Sequence, residues 1–302
     1  MKRVLVVGSA NTDMIIRVPR IPRPGETILG GEFAIAAGGK GANQAVAAAR
    51  AGGRVTFVAR VGDDIFGDRA LTGFRVDGVE TRFVVRTPGA PSGVALIHVD
   101  DRGENSISVA SGANALLSKK DVERADAAFA AADIVLLQLE SPIETVAAAI
   151  RKAGERQVPV ILNPAPAREL DDGLLRGVDV LTPNEHEAAV LAGIAVGDDR
   201  SAREAAGRLR ARGPRTVVIT LGARGVWASS EVFEGLVPAF KIEPVDTTAA
   251  GDVFNGALAV ALAEGRPLEE ALRFAQAAAA ISVTRPGAQP SAPARAEIEA
   301  FL

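Results

Sequence analysis

The chain has 302 residues, 48% of them apolar and 24% charged, with no cysteine. Lysine plus arginine (34) nearly balances aspartate plus glutamate (37), for a net charge of −3. That balance predicts neither a nucleic-acid groove nor an acidic tail, and the missing cysteines exclude disulfides and thiolate chemistry. The two histidines, His98 and His186, are far apart and not in a pattern such as HExxH, so no histidine-based metal site is expected. The apolar run near the start, in MKRVLVVGSANTDM, is too short for a secretory signal, and no segment is long enough to span a membrane. The expectation is a cytoplasmic protein with neither membrane nor nucleic acid as partner, forming one large α/β domain or two modest ones.

Short apolar, β-rich runs alternate with amphipathic helical stretches. In chain order, strands are predicted at Arg3–Val7, Val55–Ala59, Ile134–Leu139, Val158–Leu162, Val178–Leu181, Thr216–Thr220 and Gly225–Ser229. Helices are predicted at Gly41–Ala51, Asp121–Ala131, Ile143–Ala153, Glu185–Ala192, Ala202–Arg212, Asp252–Ala263 and Leu268–Val283. This alternation predicts βαβ units and a largely parallel sheet covered on both faces. Two places break the rhythm. Met14–Ile35 reads as extended chain around Pro22, Pro24 and Gly25, and Arg82–Ala110 alternates like paired strands with no helix between them. A small β element inserted at two points explains both, either as a lid over a site or as a pair of hairpins without a role.

Six stretches could carry chemistry. Asn11-Thr12-Asp13 follows the first strand, in the usual ligand position of an open α/β sheet, where carboxylate and amide suit sugar hydroxyls; taken alone, an Asx turn explains it more simply. Gly38-Gly39-Lys40-Gly41-Ala42-Asn43-Gln44 fails both the Walker pattern and GxGxxG. It is still a bare-backbone turn into a helix, with Lys40 and Asn43 as directional donors. Glu140 ends an apolar strand in QLESP, at the same expected sheet edge. In TPNEHE, Thr182 and Glu185 read as a capping box with Pro183 at the first helical position. That leaves Asn184 and Glu187 on one helix face, able to hold a hydrated Mg²⁺ or simply solvated. Thr220-Leu221-Gly222-Ala223-Arg224-Gly225 is a glycine turn that could approach a nucleotide or merely join two strands.

The sixth is DTTAAGDVFNGAL, from Asp246 to Leu258. The small run Ala249-Ala250-Gly251 precedes Asp252 at a predicted helix start. Helix N-terminal amides are unpaired and partially positive, and a loop stripped of side chains lets an anion reach them. Asp252 could accept a proton beside that anion, or be an ordinary N-cap. Each signal alone is modest. Together they place Asn11, Asp13, Glu140, Asn184 and Gly222 past strands expected to share one sheet edge.

GSANTD, GGKGANQAVAAARAG, QLESP, NPAPARELDD, TPNEHEA, VITLGARGVWA, VDTTAAGDVFNGAL and RPGAQPS together resemble the ribokinase (PfkB) family of sugar kinases, from Val4 to Phe301. The resemblance implies a three-layer α/β/α fold with a mostly parallel central sheet plus a small β-sheet lid. It implies one domain over 1–302, with lid insertions at about 13–35 and 86–110. It implies transfer of the ATP γ-phosphate to the 5-hydroxyl of D-ribose, with other acceptors (deoxyribose, fructose, ketogluconate, a nucleoside) or a non-catalytic sensor as alternatives. By the same resemblance Asp252 is the general base, and Ala249, Ala250 and Gly251 form the anion hole. Asn11, Asp13, Gly39, Lys40, Asn43 and Glu140 hold the sugar. Asn184, Thr220, Gly222, Ala223, Gly225, Gly251 and Gln276 border the nucleotide, with Glu187 near Mg²⁺ and phosphate. Asp246, Thr248, Ser282, Arg285, Gly287 and Ser291 match positions that bind an activating K⁺, several through backbone carbonyls, and a homodimer through the lid is implied.

Overall fold

The computed structural model describes residues 1–29 and 31–302; position 30, within the first expected insertion, lies outside them. The strands are β1 (Arg3–Val7), β2 (Asn11–Arg17), β3 (Glu32–Gly38), β4 (Arg54–Gly62), β5 (Glu80–Thr87), β6 (Gly93–Val99) and β7 (Asn105–Ala110). They continue with β8 (Ile134–Leu137), β9 (Val160–Leu162), β10 (Val180–Leu181), β11 (Thr216–Thr220), β12 (Gly225–Ser229) and β13 (Glu234–Pro238). The helices are α1 (Lys40–Arg50), α2 (Ile65–Val76), α3 (Lys119–Arg124), α4 (Asp126–Ala131), α5 (Ile143–Glu155) and α6 (Asp172–Leu175). After them come α7 (Glu185–Ala192), α8 (Asp199–Ala211), α9 (Ala250–Ala263), α10 (Leu268–Ser282) and α11 (Arg295–Phe301).

Nine strands form one sheet in the order β13-β12-β11-β10-β9-β8-β1-β4-β5. The run from β11 to β5 is parallel, and only β12 is reversed, pairing antiparallel with both β11 and β13. The central strands β8, β9 and β10 are apolar at every residue because both faces are covered. In β1, Val4 and Val6 belong to the core layer that holds Phe254 and Leu258 of α9 and Leu272 of α10, whereas Leu5 and Val7 belong to the opposite layer with Ile150 of α5 and Leu209 of α8. Burying a Leu or Phe in this way contributes about 2–3 kcal/mol. The alanine-rich stretch of α1 has a packing role. A Cβ at Gly256 of α9 would lie 2.7 Å from the Ala47 Cβ and 2.7 Å from the Gln44 carbonyl, so small residues let α1 and α9 pack tightly.

A second sheet, β3-β2-β6-β7, is the small β element expected from the two rhythm breaks. Its bounds differ from the expected ones. Asn11, Gly38 and Gly93 lie on its edge nearest the main sheet, and β5 is not part of it. The expected pairing from Arg82 onward fails there because β5 joins β4 in parallel through α2, a helix that the sequence reading missed. Two glycines and a short buried stripe (Gly67, Leu71, Phe74) weaken the helical signal of α2, while Asp64 caps it by accepting from the Phe66 and Gly67 amides. The helix expected over Asp121–Ala131 is two short helices, α3 and α4, parted at Ala125.

Candidate active site

Because β1, β8, β10 and β11 are parallel, the residues just beyond them meet at one sheet edge. There a cavity of about 320 Å³ is lined by Asn11, Asp13, Lys40, Asn43, Glu140, Asn163, Asn184, Glu187 and Asp252, and by Ile97, Ile107 and Val109 of the small sheet. A second cavity, of about 500 Å³ and mostly apolar, lies beside it between β11, β12 and α10. Thr220, Thr247, Ala250 and Gly251 line both cavities. The small-residue corner is therefore the wall between them.

That corner is built from backbone. Ala249 is the N-cap of α9 and adopts φ 58°, the left-handed region, at a cost of about 1–2 kcal/mol for a residue with a Cβ. The Ala250 amide donates to the Thr247 carbonyl at 3.2 Å. Among the described residues, the amides of Ala249, Gly251 and Asp252 have no protein acceptor. These are the free N–H groups of a helix start, aimed where the cavities join. Asp252 is the third residue of α9, not its N-cap, so the capping alternative falls. Its carboxylate leans away from its own helix and accepts from Asn43 Nδ2 at 3.0 Å and Gln44 Nε2 at 2.9 Å. Burial pushes the Asp252 pKa up, against the pull of Lys40 and of these two amides.

Asp13 and Glu140 face the same cavity. Burial, then Glu140 and Asp252, push Asp13 up to about 6. Gly38 makes room for it, since a Cβ there would lie 2.2 Å from Asp13 Oδ2. Glu140 Oε2 accepts from Ser9 Oγ at 2.6 Å and from the Lys40 amide at 3.0 Å. Asn114 Nδ2 donates to Asn11 Oδ1 at 2.7 Å, which turns the Asn11 amide hydrogens toward the cavity. Asn11 and Asp13 belong to β2 rather than to an Asx turn. Gly39, at φ 88°, brings α1 against this strand; a Cβ on it would lie 2.6 Å from the Asn11 nitrogen. Burial alone would depress the Lys40 ammonium, but Asp252, Glu140, Glu187 and Asp13 outweigh it and hold the pKa above an ordinary lysine's.

The capping box of α7 is Asn184 with Glu187, not Thr182 with Glu185. Asn184 Oδ1 accepts the Glu187 amide, and Glu187 Oε2 accepts the Asn184 amide, both at 2.8 Å. Thr182 Oγ is engaged elsewhere, donating to Asn255 Oδ1 at 2.6 Å. Glu187 is buried and lines the cavity, and burial raises its pKa. Gly222, Ala223, Gly225 and Gln276 line the larger cavity with Phe240, Ile242 and Phe254. Gly222 opens the tight turn between β11 and β12, so the hairpin reading and the pocket reading hold together.

The remaining expected residues lie outside both cavity walls, apart from Thr248, which lines the smaller one. Asp246 joins two loops, accepting from the Thr248 amide at 2.9 Å and from the Gly287 amide at 2.8 Å. Burial would raise its pKa, but these bonds hold it below the usual range. Arg285 pairs with Glu297, so only its carbonyl is free for a ligand. Ser282 and Ser291 donate their hydroxyls to the carbonyls of Ala279 and Ala288. Among the described residues, no group of three or more His, Asp or Glu side chains could hold a metal, and no helix is long and apolar enough to cross a membrane.

Ser9, Gln44, Asn163, Asn255 and Thr247 were not anticipated. One signal was present: Asn43 and Gln44 are the only polar side chains between Gly41 and Ala49.

The family model described as pfkB family carbohydrate kinase matches residues 1–295. The chain belongs to the pfkB family of carbohydrate kinases. A ribokinase of Haemophilus influenzae is 46% identical over 301 residues, spanning 100% of this chain and 98% of the relative. A deoxyribokinase of Salmonella typhi is 38% identical over 300 residues, spanning 99% and 98%. Among solved structures, an Arabidopsis thaliana ribokinase complexed with ribose and ATP superposes with a TM-score of 0.91 at 34% identity, covering 99% of this chain and 98% of that one. In this pfkB-family chain the large mostly parallel sheet and the separate small sheet are the ribokinase-like α/β fold.

Proposed function

We propose that this chain transfers the γ-phosphate of ATP to the 5-hydroxyl of D-ribose, with the sugar in the smaller cavity and the nucleotide in the larger. The observation that carries this reading is the corner at 249–252, where unpartnered amides and a buried carboxylate stand on the wall that the two cavities share. The hydroxyl oxygen attacks the γ-phosphorus, the bond to the β–γ bridging oxygen breaks, and ADP leaves. The hydroxyl proton passes to Asp252. The amides of Ala249, Gly251 and Asp252 stabilise the charge shifting over the phosphoryl oxygens. The apolar residues Ile97, Ile107 and Val109 exclude water, which competes as an acceptor. Asn11, Asp13, Gly39, Lys40, Asn43 and Glu140 orient the sugar by hydrogen bonds.

The donor sets suit two cations. Glu187 has one carboxylate oxygen bonded to the Asn184 amide and, among the described residues, no hydrogen bond to the other. A single carboxylate with water and phosphates is how Mg²⁺ is usually held, and Mg²⁺ supplies charge neutralisation of the phosphates. Among the described residues, no backbone amide donates to the carbonyls of Thr248, Arg285 or Gly287. With Asp246, these oxygens around two tied loops fit an activating K⁺. The face of the small sheet opposite the cavity exposes Phe33 (62%), Ile35 (44%) and Leu96 (51%), which fits a homodimer through the lid. We place the enzyme in the cytoplasm, where ATP is available.

Deoxyribose is the second reading, carried by the Salmonella typhi relative. A panel of sugars with ATP, Mg²⁺ and K⁺ separates the two; a sensor would bind ribose and turn over none of them. Asp252→Asn tests the base: turnover falls about 100-fold or more while sugar binding persists. Near-normal turnover in that variant would remove Asp252 from the role.

A further inference from the structure

Behind Asp252 lies a chain of side-chain amides, of which only Asn163 lines the cavity. Gln44 is fully buried and stands behind the cavity wall. Its Nε2 donates to Asp252 Oδ1 at 2.9 Å and to Asn163 Oδ1 at 3.1 Å. Its Oε1 accepts from Gln138 Nε2 at 2.5 Å. The orientation of each amide is forced. A carboxylate only accepts, so Gln44 must turn its nitrogen toward Asp252. Asn163 must present oxygen, because its own nitrogen donates to the Thr182 carbonyl at 3.0 Å. Gln44 then presents oxygen to Gln138, which must donate, and Gln138 Oε1 is left buried with no partner among the described residues. It points at Gly8, where a Cβ would lie 2.0 Å from it. The fold tolerates that orphaned oxygen and the bare glycine, and the result is an N–H directed at Asp252.

We propose that Gln44 is a positioning residue for the Asp252 carboxylate, and that Gln138 prevents its amide from turning over. The inference rests on the reading of Asp252 as the base. Two donors from adjacent positions of α1, Asn43 and Gln44, hold one carboxylate oxygen each. With both oxygens held, the carboxylate plane is fixed, and the remaining lone pairs face the cavity. The same bonds favour the ionised form, the only form that can take a proton. The other charged groups around Asp252 are Lys40 of α1, Glu140 after β8, Asp13 of β2 and Glu187 of α7, and removing Gln44's amide alters none of them.

The test compares Gln44→Met, Gln138→Met and Asp252→Asn by melting temperature, kcat, sugar KM and the pH profile of kcat at saturating sugar. Methionine is unbranched and similar in length, so it fills the space without the amide. For Gln44→Met the expected result is a kcat lower by about 10- to 100-fold, as when a group that orients a reactive residue is removed. The acid limb should move up by about one pH unit, the size set by losing one hydrogen bond to a charged group. Sugar KM should stay within about twofold, since Gln44 does not line the cavity. Gln138→Met should move the limb the same way by less, and it carries the test if Gln44→Met does not fold. An unmoved limb in a folded variant, whether or not its melting temperature drops, overturns the inference. If Asp252→Asn is inactive while Gln44→Met keeps normal kcat and limb, only the positioning inference fails. If Asp252→Asn turns over normally, the base reading fails with it.

Discussion

Gln289 donates from Nε2 to Asn43 Oδ1 at 3.2 Å, and the same Asn43 donates to Asp252. Gln289 lies two residues beyond Gly287, whose amide is held by Asp246. Arg50, at the end of α1, also grips this segment through the carbonyls of Gln289 and Ala292, at 2.7 and 3.1 Å. The loops proposed to hold K⁺ are therefore one side chain away from Asn43, a hydrogen-bond donor to the proposed base. Gln289→Leu is expected to lower kcat about fivefold, the value of one buried hydrogen bond, and to flatten its dependence on KCl. Steady-state rates across a KCl series at fixed ionic strength check this. An unchanged KCl response would show that the loops and Asn43 are not coupled.

Asp13 sets a pH dependence. With its pKa at about 6, the carboxylate that would accept the sugar hydroxyls is half protonated near pH 6. Sugar KM should rise as pH falls through that value, with kcat less affected. Asp13→Asn should raise KM at pH 7.5 and remove this dependence. The sign for stability is the reverse. Its pKa rises on folding from 3.8, the ordinary value of a solvated aspartate, to about 6, so the folded state binds the proton more tightly. The ionised carboxylate therefore destabilises the fold above about pH 6 and not below about pH 4, by up to about 3 kcal/mol. Denaturant titration at pH 7.5 should find Asp13→Asn more stable than the parent, and the difference should vanish toward pH 4.

The small sheet makes a separate prediction about assembly. Phe33→Asp with Leu96→Glu places two charges on its exposed apolar face. If that face pairs copies, light scattering should show a dimer for the parent and a monomer for the double variant, with the melting temperature of the main body little changed. A parent that is monomeric at micromolar concentration would sink the pairing.

The fold was largely legible because its signals are local. Apolar strands at 134–137 and 216–220 and the glycine run before α1 depend only on near neighbours in sequence. The site was legible as a set of strand-end residues for the same reason. What could not be read is held by long-range contacts. Thr182 loses its expected capping role because its hydroxyl is taken by Asn255, 73 residues away. Gln44 meets Asn163 and Asp252 across separations of 119 and 208 residues. Nothing in the Lys40–Arg50 stretch shows which of its polar side chains will face the cavity and which will stand behind it. Helix α2 was lost for a local reason, since Gly67 and Gly73 dilute its stripe.

Gly251 has a bare α-carbon with open space around it: a Cβ built there meets no atom within 4 Å. Most of the tight glycines in this chain are held by their neighbours, as Gly8 and Gly256 are. Gly251 has no neighbour to offend, and alanine would even suit the helix better, by about 1 kcal/mol. On the proposed reading, that open space serves phosphoryl transfer rather than packing. A screen that selects for thermal robustness alone should accept Gly251→Ala, and the resulting protein should be sturdier yet a poorer phosphoryl carrier between its two chambers.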